Sequence, residues 1–137
     1  MKKIVTDSAR ETKELGKLLA QKLRGGEVLC LDGELGAGKT TFTQGLLQGL
    51  KIKGPYTSPT FVIMKEYRTK KITVYHIDAY RIESEDLMAL GWKEIIADTK
   101  NVVIIEWSNR VKKILPKRAL KIAFIWLDKN KRQITFA

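Results

Sequence analysis

Read for the spacing of its apolar positions, the chain alternates between short strand-like runs and helical stripes. Lys2 to Thr6 has strand length and composition. Ser8-Ala9-Arg10-Glu11 fits a capping box, with Ser8 capping the helix and Glu11 reaching back. Leu15, Leu18, Leu19 and Leu23 then fall on one helical face until Gly25-Gly26 stops it. Glu27 to Asp32, with the apolar centre Val28-Leu29-Cys30-Leu31, reads as a short buried strand. A glycine-rich turn follows, and Phe42, Leu46, Leu47 and Leu50 return to helical spacing.

The second half reads mostly as strand. Lys51 to Gly54 links to the polar turn Thr57-Ser58-Pro59, which enters a strand over roughly Thr60 to Arg68. Thr69-Lys70-Lys71 is a turn, so this strand and Ile72 to Asp78 form an antiparallel hairpin. Ser84 caps a short helix through Leu90, Gly91 breaks it, and Trp92 to Ala97 makes another helical turn. Asn101 to Trp107 is a continuous apolar run ending in Glu106-Trp107, the pattern of a parallel strand covered on both faces. Ser108 to Leu115 is a loop or short helix closed by Pro116, and Arg118 to Leu127 with Gln133 to Phe136 makes a final hairpin. The order predicts an α/β three-layer sandwich with a mainly parallel central sheet and antiparallel edge strands, and the strand, the turn Gly33 to Thr40 fitting G-x-x-x-x-G-K-[ST], and the helix after it make it P-loop NTPase-like.

Composition narrows the chemistry. A chain of 137 residues is the length of one domain, here 1–137, and can bury one core without disulfides. Cys30 and His76 are the only cysteine and histidine, which excludes metal centres built on those ligands. No apolar run approaches the ~18–20 residues that span a bilayer, so no membrane association and a cytoplasmic location are expected. The net charge of +11 has two readings: an electrostatic footprint for nucleic acid or an acidic partner, or a solvated Lys-rich surface. The basic residues are scattered, and the densest groups, such as Lys129 to Arg132, are short.

The chemistry concentrates in Gly33-Glu34-Leu35-Gly36-Ala37-Gly38-Lys39-Thr40, which fits G-x-x-x-x-G-K-[ST] between a buried strand and a helix. Glycines there let successive backbone N–H groups turn toward a polyphosphate, and the helix N-terminus faces the same anion. Glu34, Leu35, Gly36, Ala37, Gly38, Lys39, Thr40 and Thr41 are therefore the candidate nucleotide-binding residues. Lys39 supplies a mobile charge for the β- and γ-phosphates, and the Thr40 hydroxyl is placed to ligate Mg²⁺.

Such a site also needs an acid at the end of a buried strand. Glu106, after Val102-Val103-Ile104-Ile105, is the candidate for the metal or the catalytic water, against a surface salt bridge. Asp78 ends its own strand and is the second catalytic candidate, although a strand-end Asp also forms turns. His76 shares a strand face with Asp78 and reads as a structural support for the acids. Arg81 is either an arginine finger or a salt-bridge partner of these acids, and Thr60 is either a switch threonine or a strand-entry residue. Trp92, Trp107 and Trp126 read as core or interface anchors, with Trp107 the one next to the site.

These segments occur together in one order. The glycine loop, Ser58-Pro59-Thr60-Phe61, His76-Ile77-Asp78-Ala79-Tyr80-Arg81, Leu90-Gly91-Trp92 and Ile105-Glu106-Trp107 resemble the TsaE (YjeE) family, over about residues 1 to 127. The resemblance implies a protein that binds ATP and Mg²⁺ and hydrolyses ATP slowly. It implies a role in attaching threonylcarbamoyl to N6 of a tRNA adenosine beside the anticodon. The implied partners are a threonylcarbamoyltransferase subunit and its inactive paralogue (a TsaD/TsaB-type complex), with tRNA reached through that complex. By the same resemblance Thr40 and Glu106 bind Mg²⁺, Asp78 is the other carboxylate required for activity, and Trp107 follows the Glu. Ser8 to Thr12 matches a region that approaches the nucleobase. Two rivals stand beside this: a small-molecule kinase, which the short chain without an Arg-rich insertion disfavours, and a nucleic-acid-binding module, for which no signature appears.

Overall fold

The computed structural model describes residues 1–56 and 63–137, so Ser58-Pro59-Thr60-Phe61 lies outside the described residues. In chain order the elements are β1 (Lys2–Thr6), α1 (Ala9–Ala20), β2 (Val28–Gly33), α2 (Lys39–Gly49), β3 (Met64–Arg68) and β4 (Thr73–Asp78). Then come α3 (Ser84–Ala89), α4 (Trp92–Ala97), β5 (Asn101–Glu106), a 3₁₀ helix (Ser108–Ile114), β6 (Leu120–Trp126) and β7 (Arg132–Phe136). The strands form one sheet in the order β1-β7-β6-β2-β5-β4-β3. Its centre is parallel: β2 pairs with both β5 and β6, and β4 pairs with β5. β3 pairs antiparallel with β4, and β7 pairs antiparallel with β6 and β1.

Alternation along the central strands gives each sheet face its own core. Leu29, Leu31, Val102, Ile104 and Ile122 point to the face covered by α1 and α2, where Phe42, Leu46 and Leu47 meet them. Val28, Cys30, Val103 and Ile105 point the other way, against Leu87 of α3, Trp92 and Ile95 of α4, and Val111. β5 is buried at every position, as its apolar run predicts for a strand between two helical layers. Parallel strands covered on both faces put β2, β4 and β5 in register with their C-terminal ends along one edge.

Several local expectations change. Glu27 lies before β2, and its carboxylate accepts the N–H groups of Arg24 at 2.9 Å and Gly25 at 2.8 Å. Glu83 rather than Ser84 precedes α3: its N–H donates to Asp86 at 2.8 Å, while Ser84 is the first helical residue and is buried. α1 ends at Ala20, before the Gly25-Gly26 pair, and Leu18 is 56 % exposed. The residues that α1 buries are Thr12, Gly16 and Ala20, a stripe of small residues.

The reason lies in how closely α1 and α2 approach. A Cβ on Gly16 would stand 2.3 Å from the Phe42 carbonyl oxygen, and one on Gly45 would stand 2.0 Å from that of Lys13. At that separation leucines cannot enter the seam, so Leu15 and Leu19 lie beside it and Leu18 turns to solvent. Gly45→Ala should therefore destabilise the fold by about 1–3 kcal/mol through overpacking, despite the ~1 kcal/mol by which Ala is the better helix former. Urea unfolding checks this: a lower midpoint at unchanged slope is expected, and a raised midpoint would contradict the close seam.

Candidate functional site

β2 runs out at Gly33, the chain turns through Glu34 to Gly38, and α2 starts at Lys39. The turn needs glycine at Gly36 and Gly38, with φ of 81° and 108°. Ala37 donates its N–H to the Glu34 carbonyl at 3.1 Å and tucks its side chain into the core. Gly38, the residue before α2, has no side chain to cap it, so among the described residues the N–H groups of its first turn are open to an outside acceptor. Glu34, Leu35, Gly36, Gly38, Lys39, Thr40 and Thr41 all line one cavity of about 780 Å³, whereas Ala37 sits beneath it.

Lys39 is only 5 % exposed. Its ammonium donates to the Gly33 carbonyl and stands 4.1 Å from the centre of the Trp107 ring. Burial pushes its pKa below the ordinary lysine value, opposed by the carboxylates of Glu106, Asp32, Asp78 and Glu34 in that order. The cavity thus presents a partly desolvated cation ringed by acids.

The two acids predicted from strand ends come together. Asp78 and Glu106 are register partners at the ends of β4 and β5, and both line the cavity. Glu106 is buried, with Oε2 2.7 Å from Nε2 of His76. Asp78 accepts the N–H of Tyr80 through Oδ1 at 3.0 Å, so it is a turn former as well as a cavity acid. Arg81 lines the cavity but makes no ion pair among the described residues; its guanidinium lies 6.0 Å from the Tyr80 ring centre.

Trp107 takes a left-handed backbone (φ 57°, ψ 42°), uncommon for an aromatic residue. That kink directs its ring over Lys39 and against Tyr80, with ring centres 5.0 Å apart. Asp32 holds the kink from below, accepting the Ser108 N–H at 2.8 Å and the Ser108 hydroxyl at 2.5 Å. Of the other tryptophans, Trp92 is a core residue donating to the Ile114 carbonyl at 3.0 Å, and Trp126 is half exposed on β6.

Sequence reasoning missed what the far end of the chain brings. The β6–β7 turn places Lys129, Asn130 and Arg132 on the cavity wall, across from Ala9 and Thr12 of α1. Arg132 donates from Nε to the Gly36 carbonyl at 3.2 Å, tying the glycine loop to β7. The Lys-rich turn was visible as composition, but only the β1-β7-β6 pairing carries it to the loop. Chemically, the loop and Lys39 can receive a polyphosphate, while Thr40, Asp78 and Glu106 offer hard oxygen donors. Among the described residues no group of three or more His, Cys, Asp or Glu could hold a metal ion unaided.

Comparison with known proteins is consistent in direction. The model of the family described as "Threonylcarbamoyl adenosine biosynthesis protein TsaE" matches residues 6–134. The chain is 41% identical to the tRNA threonylcarbamoyladenosine biosynthesis protein TsaE of Bacillus subtilis (strain 168) over 131 residues, 96% of this chain and 82% of the relative. It is 40% identical to that of Treponema pallidum (strain Nichols) over 134 residues, 97% and 98% of the two chains. It is 38% identical to that of Aquifex aeolicus (strain VF5) over 136 residues, 98% and 94% of the two chains. The crystal structure of YdiB from Bacillus subtilis superposes with a TM-score of 0.80 at 35% identity, covering 98% of this chain and 83% of that one.

Two outcomes follow from the geometry. A lysine whose folded pKa is depressed binds its proton less readily than in the unfolded chain, so stability rises with pH between the folded value and the ordinary 10.5. Lys39→Met should therefore raise the thermal midpoint at neutral pH, with the gain shrinking toward pH 10.5; an unchanged or lower midpoint would contradict a net burial cost. Ser108→Ala should cost about 1.5–3 kcal/mol by removing a hydrogen bond to a charged acceptor. A double-mutant cycle with Asp32→Ala should return that coupling, and additive losses would contradict it.

Proposed function

The chain belongs to the TsaE family, and from that premise we propose that it is a Mg²⁺-dependent ATPase serving tRNA threonylcarbamoyladenosine biosynthesis. It acts beside a threonylcarbamoyltransferase subunit and that subunit's inactive paralogue, which carry the transfer chemistry and the tRNA. One observation carries the nucleotide reading: Lys39 and Thr40 at the start of α2 open on the same cavity as the paired strand ends Asp78 and Glu106.

The first-turn N–H groups of α2 and the glycine loop receive the phosphates. Lys39 leaves the Gly33 carbonyl and the Trp107 ring to meet the β- and γ-phosphates, exchanging a weak partner set for an anion. Thr40 and Glu106 would hold Mg²⁺, and their hydroxyl and carboxylate oxygens fit that ion's preference for a few protein oxygens completed by phosphate and water. When bound, the ion supplies neutralisation of the charge that develops on the phosphoryl oxygens. Asp78 keeps Oδ1 on Tyr80 and turns its other oxygen to the attacking water, which it orients and deprotonates. Water is limited by Trp107 and Tyr80, whose rings pack together at the cavity wall. The net charge of +11 favours association with anionic partners, tRNA among them.

Nucleotide affinity measured beside single-turnover hydrolysis tests the division of labour. Glu106→Gln should impair Mg²⁺-dependent nucleotide binding and turnover together. Asp78→Asn preserves a carbonyl acceptor for the Tyr80 turn, so Mg·ATP binding should stay near wild type while hydrolysis falls by about 10²-fold. Wild-type hydrolysis by Asp78→Asn would leave Asp78 only its turn and overturn the assignment.

A further inference from the structure

His76 is the chain's one histidine, and it stands on β4 with 4 % of its surface exposed. Its register partner on β5 is Ile104, so Glu106, two residues on, lies diagonally across the same sheet face. There Nε2 and Glu106 Oε2 are 2.7 Å apart, both side chains buried. The other ring nitrogen, Nδ1, is buried with no hydrogen-bond partner among the described residues. A proton on Nδ1 would be a buried donor with nothing to accept it, so the proton belongs on Nε2 and is donated to the carboxylate.

The fold does not need this contact to pair its strands. β4 and β5 are joined along their whole length, from Thr73 with Asn101 to Asp78 with Glu106. A buried polar pair is also a poor way to gain stability compared with apolar side chains of the same volume. What the pair does achieve is geometric: it fixes one oxygen of Glu106 and with it the side chain's rotamer, leaving Oε1 for an incoming group.

We propose that His76 is a positioning residue, which donates from Nε2 to set the Glu106 carboxylate for the metal ion that accompanies the nucleotide. The inference rests on the reading of Glu106 given above. It predicts that the place of the donor matters more than the presence of a polar side chain. In His76→Gln the amide nitrogen falls near the position of Nε2, whereas in His76→Asn it falls near that of Nδ1.

The test measures Mn²⁺ affinity of the ADP-bound protein by electron paramagnetic resonance, ADP affinity in EDTA, and the melting temperature, for wild type, His76→Leu, His76→Gln, His76→Asn and Glu106→Gln. Leu and Asn should weaken Mn²⁺ binding about ten- to a hundred-fold, with metal-free ADP affinity unchanged. Gln should restore it to within a few-fold of wild type. If His76→Leu fails to fold, the Gln and Asn pair still decides. Equal Mn²⁺ affinity in Gln and Asn, or wild-type affinity in Leu, overturns the role of His76 when Glu106→Gln has lost the metal. Wild-type Mn²⁺ affinity in Glu106→Gln instead removes the reading of Glu106, and the inference falls with it.

Discussion

The ammonium of Lys39 is held out of water by a backbone carbonyl and an indole ring, and none of the ion pairs among the described residues includes it. A buried charge with so modest a partner set is costly. The four acids around it soften that cost from a distance without pairing, and their own negative charge disfavours a bare polyphosphate. A phosphate that comes with a divalent cation satisfies both halves: the lysine gains an anion, and the acids gain a counter-charge. The proposed preference for Mg·ATP therefore follows from the charge distribution of the cavity.

The fold serves that arrangement by bringing three chain reversals to one sheet edge. β2 ends in the glycine loop, β4 ends at Asp78, and β5 ends at Glu106, all parallel and hydrogen-bonded as neighbours in the order β2-β5-β4. Ligand sites in open α/β sheets lie at such edges. Three further ties support the edge. Asp32 of β2 grips Ser108 just past β5 and so sustains the left-handed turn at Trp107. Arg132 of β7 holds the Gly36 carbonyl, and the glycine seam between α1 and α2 keeps α2 close to its neighbour.

What was legible in the sequence is what local pattern and spacing determine. The strand, glycine loop and helix around Lys39 appear where expected, as does the fully buried strand ending in Glu106. Asp78 and Glu106 were each marked by a strand end, and the structure adds that they are register partners. The departures come from contacts between distant segments. Of the leucines read on one face of α1, Leu15, Leu19 and Leu23 pack against the core, but Leu18 turns to solvent because the inward stripe is set by how close α2 comes, a closeness that Gly16, Gly45 and Gly49 permit. Ser84 looked like a cap by residue type, but burial of its side chain leaves the capping role to Glu83. Asp32 and Arg132 carried no local signal, since their partners are 76 and 96 residues away in the chain. The segment holding Thr60 falls outside the described residues, and its candidate switch role stays an expectation from sequence.

On the proposed reading, Lys39 rests on Gly33 and Trp107 until the phosphates of a metal-bound nucleotide reach it. A crystal structure of the protein with Mg²⁺ and a non-hydrolysable ATP analogue tests it most directly. The ammonium is expected within hydrogen-bonding distance of the β- and γ-phosphates and released from the Gly33 carbonyl, with Asp78 and Glu106 flanking the γ-phosphate. A nucleotide bound outside this cavity, or one bound in it with Lys39 still on Gly33 and Trp107, would contradict it.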